Sequence, residues 1–501
     1  MSRPSCWALL CCSPLTLAQP GIGQNGVVNQ ASQIPTTLPG GSIARGARFT
    51  IRGVHFGSAA TVSLRKSPVK VLTVQPELIQ AIMPETASVG PATLVVTANG
   101  SASKPFSIEV ADSNPGIFSQ NKNGWGPGEI DNIDSLSKRT LNSPANPAAP
   151  GQKVAMKITG LGKGTAAIVV VGNRTVNAGP ARLTQQSGEQ EISFAIPPDA
   201  PLGCYVPVYL QASPARASNV VTMSIRSGSA KCDPGPIPAL DAKRIAMIAI
   251  SRTNMFEHSG NTDKGEARAT FAVRDQSLSP LLLLPPPGTC TAYTSTLQST
   301  TNPPITASAS LYGQLGSEGL AAGAQLTIGR DNRWRIIPWD RNAIGVYRGP
   351  VPLRLFNPGK LILSGPGGLD VGAFRVTLNA PAPFEWIDRD RTEAVTRSRA
   401  LPLHWRGPAT AHWTILLATN VDQISTAIGT CLCTAPLNAT HFEIPAAMLA
   451  NIPASSDAPG IPYDQLFIAS IPAGSIPISA PGIGAGVVFT IYSNGRSVQY
   501  H

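Results

Sequence analysis

The chain has 501 residues, with 47 glycines, 47 prolines, 42 % hydrophobic and 13 % charged side chains, and a net charge of +11. That length excludes a single sandwich domain, the glycine and proline content excludes long exposed helices, and no segment reaches the roughly 20 apolar residues of a membrane-spanning helix. The basic excess comes without a nucleic-acid-binding motif, so specific nucleic-acid binding is not expected; the charge reads as a solvated surface or one that meets acidic polymers.

Residues 1–18 read as an export signal. Arg3 supplies the positive end, Trp7 to Ala18 a short apolar core, and Thr16-Leu17-Ala18 a cleavage site ahead of Gln19. A Gly/Gln/Asn-rich leader over 19–40 precedes short alternating segments between 41 and 112, including Ala47–Gly53, Leu78–Met83, Ala92–Thr97 and Phe106–Val110. Six or seven such strands, bounded by Gly and Pro, predict a small immunoglobulin-like sandwich. Residues 113–149 are turn-rich and read as a connecting loop, a place where β-sandwich proteins often carry function, which makes Trp125 a candidate ligand-binding residue. Asp131 and Asp134 in the same stretch read as a hydrogen-bonded turn ahead of a calcium site.

The segment 150–232 then repeats the first module. Gly46–Gly53 returns as Gly151–Gly160, Gly90–Val96 as Gly203–Tyr209, and Ser103–Val110 as Ser218–Ile225. An internal duplication at domain spacing means two copies of one β-rich unit, each burying its own inner face. With the signal removed, Cys204, Cys232, Cys290, Cys431 and Cys433 remain. Cys204 and Cys232 flank the last two strands of the second copy and are expected to bridge. Cys431 and Cys433 are expected on opposite faces of an extended segment and not to pair with each other, so that either can take Cys290. Cys-Leu-Cys has the wrong spacing for a structural zinc site, and no metal or cofactor is expected.

Asn114–Phe118, Leu141–Gly151, Ile158–Gly162 and Ser218-Asn219, in this order, closely resemble the Solibacter-type domain of bacterial exported proteins, related to IPT/TIG immunoglobulin-like folds. The resemblance covers residues 25–230. It implies secretion, tandem β-sandwiches and no established enzymatic activity.

Beyond Asp233 the pattern continues without copying the repeat. Ile245–Ile250, Ala269–Val273, Gln325–Ile328 and Leu361–Ser364 predict a β-rich third domain over 240–380, interrupted by a Pro/Thr/Ser-rich insertion at 285–304. Phe374–Leu378, Leu401–Trp405, Trp413–Ala418, Phe467–Ser470 and Val487–Tyr492 predict sandwich-like strands, most of them in a fourth domain over 381–501, with one helical turn at Ala446–Ala450. Gly365–Phe374 and Leu403–Gly407 resemble the β-rich C-terminal region that accompanies the same exported family.

Two clusters here bear on chemistry. Arg333 and Arg335 interleave with Trp334 and Trp339, residue types that stack on a sugar or base and pair with carboxylate or phosphate, and Trp386 is a third candidate for stacking on carbohydrate. His404 and His412 lie near Asp388, Asp390 and Glu393, the one constellation resembling an acid/base or metal site, and a hydrolase would use the region from His404 to His441. Serine-hydrolase, zinc-protease, phosphate-loop and EF-hand motifs are absent. The expectation is an all-β chain of tandem immunoglobulin-like sandwiches, exported and non-enzymatic, with a surface, adhesive or scaffold role. The alternatives are an extracellular module that binds carbohydrate or an acidic polymer, and a secreted hydrolase; the partner class expected is extracellular polysaccharide or a cell-surface component.

Overall fold

In the computed structural model the described residues are 19–38, 40–162, 167–213, 216–236, 240, 242–257, 260–274, 283–296, 316–408, 412–422, 426–455 and 464–501; the expected export signal lies outside them. Among the described residues nearly all regular structure is strand, and the single α-helix is the short turn Ala446–Leu449.

The first module is a two-sheet sandwich. One sheet runs Gly21–Asn29, Arg48–Val54, Leu78–Ile82, Lys70–Gln75; the other is built on Phe106–Ala111, Gly90–Ala98 and Thr61–Leu64. Alternation places Phe49, Ile51, Ile79, Leu94, Val96 and Ile108 in one core, as expected for sheets with one buried face. Gly21–Asn29 pairs with Arg48–Val54 and sends Val27 into that core, so the leader expected over 19–40 contributes an edge strand of the sandwich.

The second module repeats the arrangement. Lys153–Thr159 pairs with Gln190–Ala195 as Arg48–Val54 pairs with Leu78–Ile82, and Gly203–Ser213 with Val221–Ile225 as Gly90–Ala98 with Phe106–Ala111. The segment expected to be a loop at 113–149 belongs largely to this sandwich. Ile130–Ile133 is hydrogen-bonded to Lys153–Thr159, and Ile117 and Ile130 enter the core. Two buried asparagines hold it there. Asn219 accepts from the Ile117 amide at 2.8 Å and donates to the carbonyls of Ile117 and Gly124 at 2.9 and 2.7 Å; Asn142 exchanges bonds of 2.7 and 2.9 Å with Ser224. A buried backbone segment off the main ladder needs such partners. The Asp134 carboxylate accepts from the amides of Leu136 and Lys138, the turn expected there.

The two sandwiches meet through polar contacts: the Arg48 amide donates to Thr159 Oγ1 at 2.9 Å, and Thr159 Oγ1 donates to the Gly188 carbonyl at 2.6 Å. Arg48 also lies 3.6 Å from Glu189.

The C-terminal half departs from the expected division at 380/381. One ten-stranded sheet takes strands from both sides of it, in the order Thr289–Thr296, Ala427–Thr434, His412–Val421, Gln465–Pro472, Ala485–Ser497, Arg244–Glu257, Gly260–Arg274, Gly316–Gly319, with Val346–Pro350 and Ile476–Pro477 branching from it. Arg244–Glu257 and Ala485–Ser497 lie parallel over twelve paired residues, so domains 3 and 4 share one sheet. Thr289–Thr296 lies inside the segment read as an insertion at 285–304.

This sheet is covered on both faces, which explains strands that are almost continuously buried. On one face Met247, Ala249, Leu417, Phe467 and Phe489 pack with Trp125, Tyr205 and Leu284 beneath the second sandwich. On the other, Ile248, Ile250 and Val488 pack under a four-stranded sheet, and Leu416, Ala418 and Ile468 under the short strands around Trp405.

Cys204 and Cys232 are disulfide-bonded, as are Cys290 and Cys433; Cys431 is a buried thiol. The expectation of opposite faces miscounts the alternation: Cys431 and Cys433 are two residues apart and share a face, with sulfurs 3.7 Å apart. Cys290 chooses Cys433 because it stands directly opposite it, whereas Cys431 stands opposite Ala292.

Candidate functional site

Among the sequence-derived candidates, Trp125 is removed from contention. It is 8 % exposed and packs edge-on against Tyr293, ring centroids 5.3 Å apart, between the second sandwich and the central sheet. Trp386 is likewise buried. Trp334 and Trp339 are 38 % and 43 % exposed.

Trp334 belongs to Arg333–Pro338, the edge strand of the four-stranded sheet, which runs in the order Arg333–Pro338, Gln325–Arg330, Lys360–Gly365, Phe374–Asn379. Leu326, Ile328, Ile337, Leu361, Leu363, Phe374, Val376 and Leu378 point inward and are buried. The other face is open to solvent. Register across the strands arranges it in rows, Trp334, Gly329, Ile362, Thr377 in one and Ile336, Thr327, Ser364, Arg375 in the next. Neighbouring strands are about 4.8 Å apart, so each row spans about 14 Å. The hydroxyls of Thr327 and Ser364 hydrogen-bond at 2.9 Å, Ile336 is 54 % exposed, and Lys360 pairs with Asn379 beside the Trp334 row.

The indole lies across Gly329. A Cβ at position 329 would stand 2.9 Å from Trp334 Cε3 and 2.4 Å from the Arg333 carbonyl oxygen, so only glycine lets the ring settle against the backbone. The result is an aromatic platform on the open face.

The charge is one-sided. The four strands hold Arg330, Arg333, Arg335, Lys360 and Arg375 and no Asp or Glu. Arg330 is committed internally, its guanidinium donating to the carbonyls of Leu355, Asn357 and Pro358. Arg333, Arg335, Lys360 and Arg375 form no ion pair among the described residues. Alternation separates the predicted residues, however. Arg333 and Arg335 share their parity with buried Ile337 and project to the opposite side from Trp334, where both remain exposed. Trp339 lies past the strand, its indole N–H donating to the Ala343 carbonyl at 3.2 Å. The cations on the platform's own face are Lys360 and Arg375. Sequence reading missed these, with Thr327, Ser364 and Thr377, because only the register across four strands brings them beside Trp334.

The histidine constellation is divided too. His412 is buried, whereas His404 and His441 are exposed on the strands Leu401–Arg406 and His441–Ile444. Asp388 contacts His404, and Glu393 turns away to Arg496 at 3.0 Å, so these carboxylates do not form a facing acid/base pair. A cleft of about 1260 Å³ separates the first two sandwiches, lined by Arg45, Lys70, Glu85, Leu183 and Gln186 among others; Arg45 is paired at 3.0 Å with Asp112 on the same, first-sandwich wall.

Residues 34–110 match the IPT/TIG domain, so the first sandwich is an IPT/TIG immunoglobulin-like domain, and the topology above makes the chain a tandem of β-sandwiches. No curated protein sequence matches the chain. Among solved structures, the γ-CGTase of alkalophilic Bacillus clarkii aligns at 17 % identity over 38 % of this chain and 23 % of its own, TM-score 0.16. The SGBP-B of the Bacteroides ovatus mixed-linkage glucan utilization locus, in complex with a mixed-linkage heptasaccharide, aligns at 15 % over 40 % of this chain and 49 % of its own, TM-score 0.20. The SGBP-B of a complex xyloglucan utilization locus in Bacteroides uniformis aligns at 12 % over 90 % and 92 % of the two chains, TM-score 0.17. The chain thus spans less than half the length of the first two, and superposition scores this low carry no argument about function.

Proposed function

We propose that this is an exported, non-enzymatic scaffold of β-sandwiches that binds polysaccharide through the open face of the four-stranded sheet, with a preference for acidic polymers. The reading rests on one observation: Trp334 is laid over Gly329 on a solvent-facing surface that also presents hydroxyls, an amide, cations and the exposed Ile336. An indole face covers the apolar C–H surface of a sugar ring, while Thr327, Ser364 and Thr377 bond its hydroxyls and Arg375 and Lys360 meet carboxylates. Export agrees with the two disulfides and with the resemblance to the Solibacter-type exported domain.

Retention in affinity gels containing a neutral glucan or a polyuronate tests it. Trp334→Ala is expected to abolish retention in both, and Gly329→Val, which lifts the indole, to do the same. Arg375→Gln with Lys360→Gln is expected to weaken only polyuronate retention. Wild-type migration unaffected by either polymer, or retention that survives Trp334→Ala, overturns the assignment of this face.

A further inference from the structure

We propose that His404 and His441 form a surface binding site for a divalent transition-metal ion, with Asp388 as the positioning carboxylate. The two histidines face each other across the antiparallel strands Leu401–Arg406 and His441–Ile444. The next pair along is hydrogen-bonded, the Trp405 amide donating to the Thr440 carbonyl at 2.8 Å. His404 and His441 therefore occupy a non-hydrogen-bonded position, where side chains on opposing strands approach most closely. Their rings are stacked with centroids 6.1 Å apart, and both are exposed, so a modest turn about the side-chain torsions brings two ring nitrogens onto one ion at the usual 2.0–2.1 Å.

The second observation is the carboxylate behind one ring. Asp388 Oδ2 lies 3.0 Å from His404 Nδ1, while its Oδ1 accepts from the Trp386 indole at 2.6 Å and from the His404 amide at 3.3 Å. Asp388 is thereby fixed in place, puts the proton on Nδ1, and leaves the His404 Nε2 lone pair directed away from it. A carboxylate–histidine pair of this kind raises ligand basicity and orients the imidazole for a metal. Imidazole ligands select zinc, copper or nickel over calcium or magnesium. The surrounding charges tolerate a cation: Arg406, on the His404 strand, is paired with Glu385 at 3.1 Å, and Glu443, exposed two residues beyond His441 on the same face, adds an anionic oxygen donor. Water fills the remaining coordination positions. Sequence proximity groups Asp388 with His404, and only the register between the two strands sets His441 opposite them.

Calorimetric titration of the chelator-treated, disulfide-intact chain with Zn²⁺, and its Co²⁺ absorption spectrum, test the site. One equivalent is expected to bind with nitrogen and oxygen ligation. His404→Ala and His441→Ala should each abolish that equivalent without moving the melting midpoint, since both side chains are exposed. Asp388→Asn should retain the stoichiometry with affinity lowered about 10–100-fold. Failure of the wild type to bind, unchanged binding in either histidine variant, or a thiolate-to-cobalt band placing the ion at Cys431 overturns the proposal. These outcomes are independent of the Trp334 face.

Discussion

Replacing Asn219 with alanine is expected to release the segment around Ile117 from the second sandwich. The side chain is 4 % exposed and makes three hydrogen bonds of 2.7 to 2.9 Å, all to backbone groups of the segment that precedes the sandwich in sequence. Each bond contributes about 1 kcal/mol net, and a buried group left unpaired costs about 1–3 kcal/mol. Truncation therefore costs about 3 kcal/mol where water reaches the vacated space, and more where it does not. In a multidomain chain a single global unfolding energy is poorly defined, so local hydrogen exchange is the appropriate assay. The Ile117 amide, which donates to Asn219 Oδ1, should exchange about 100-fold faster in the variant, the factor that corresponds to about 3 kcal/mol. Asn219→Asp should be no better: it keeps the acceptor, loses both donations and buries a charge. Ile117 protection unchanged within about fivefold would refute the claim that this asparagine pins the segment.

Two further outcomes follow from the chemistry of paired groups. Cys433→Ser should leave Cys290 and Cys431 as free thiols, because Cys431 stands opposite Ala292 and only diagonally across from Cys290. Alkylation mass spectrometry should then count two thiols more than in Cys431→Ser, which keeps the Cys290–Cys433 bridge; a Cys290–Cys431 bond in the first variant refutes the register argument. Glu191 has its carboxyl held below the ordinary value of 4.5 by the hydrogen bonds and charge of Arg139. A depressed folded-state pKa stabilises above the unfolded value, and that stability is lost as pH falls from about 4.5 through the folded value. Glu191→Gln should accordingly flatten the acid limb of the melting profile over that interval, and an unchanged slope would deny the pair a measurable role.

The duplicated module was legible in the sequence because each copy closes its own core locally. Gly46–Gly53 and Gly151–Gly160 occur at equivalent places, and period-2 alternation alone assigns Phe49, Ile51, Val154 and Met156 inward. The Cys204–Cys232 bridge was legible for the same reason, its partners flanking adjacent strands. The limits of each module were harder to see. Gly21–Asn29 has a glycine-rich composition that hides an edge strand, and the segment around Ile117 is ordered by Asn219 and Asn142, whose partners lie 102 and 82 residues away in sequence, respectively.

In the C-terminal half the sequence specified strands and their apolar content, and tertiary structure decided their association. Nothing local states that Arg244–Glu257 lies parallel to Ala485–Ser497, because a parallel neighbour needs a long crossover and strand composition does not record which partner is at its end. The same holds for both candidate sites. Sequence proximity grouped Trp334 with Arg333 and Arg335, but strand alternation sends them to opposite sides; register replaced them with Arg375 and Lys360. The local pattern by itself determined an all-β chain carrying aromatic and basic side chains, since alternation and turn residues act over a few positions. Which of those side chains share a surface was decided only by long-range strand pairing, a tertiary property that no short window of sequence contains.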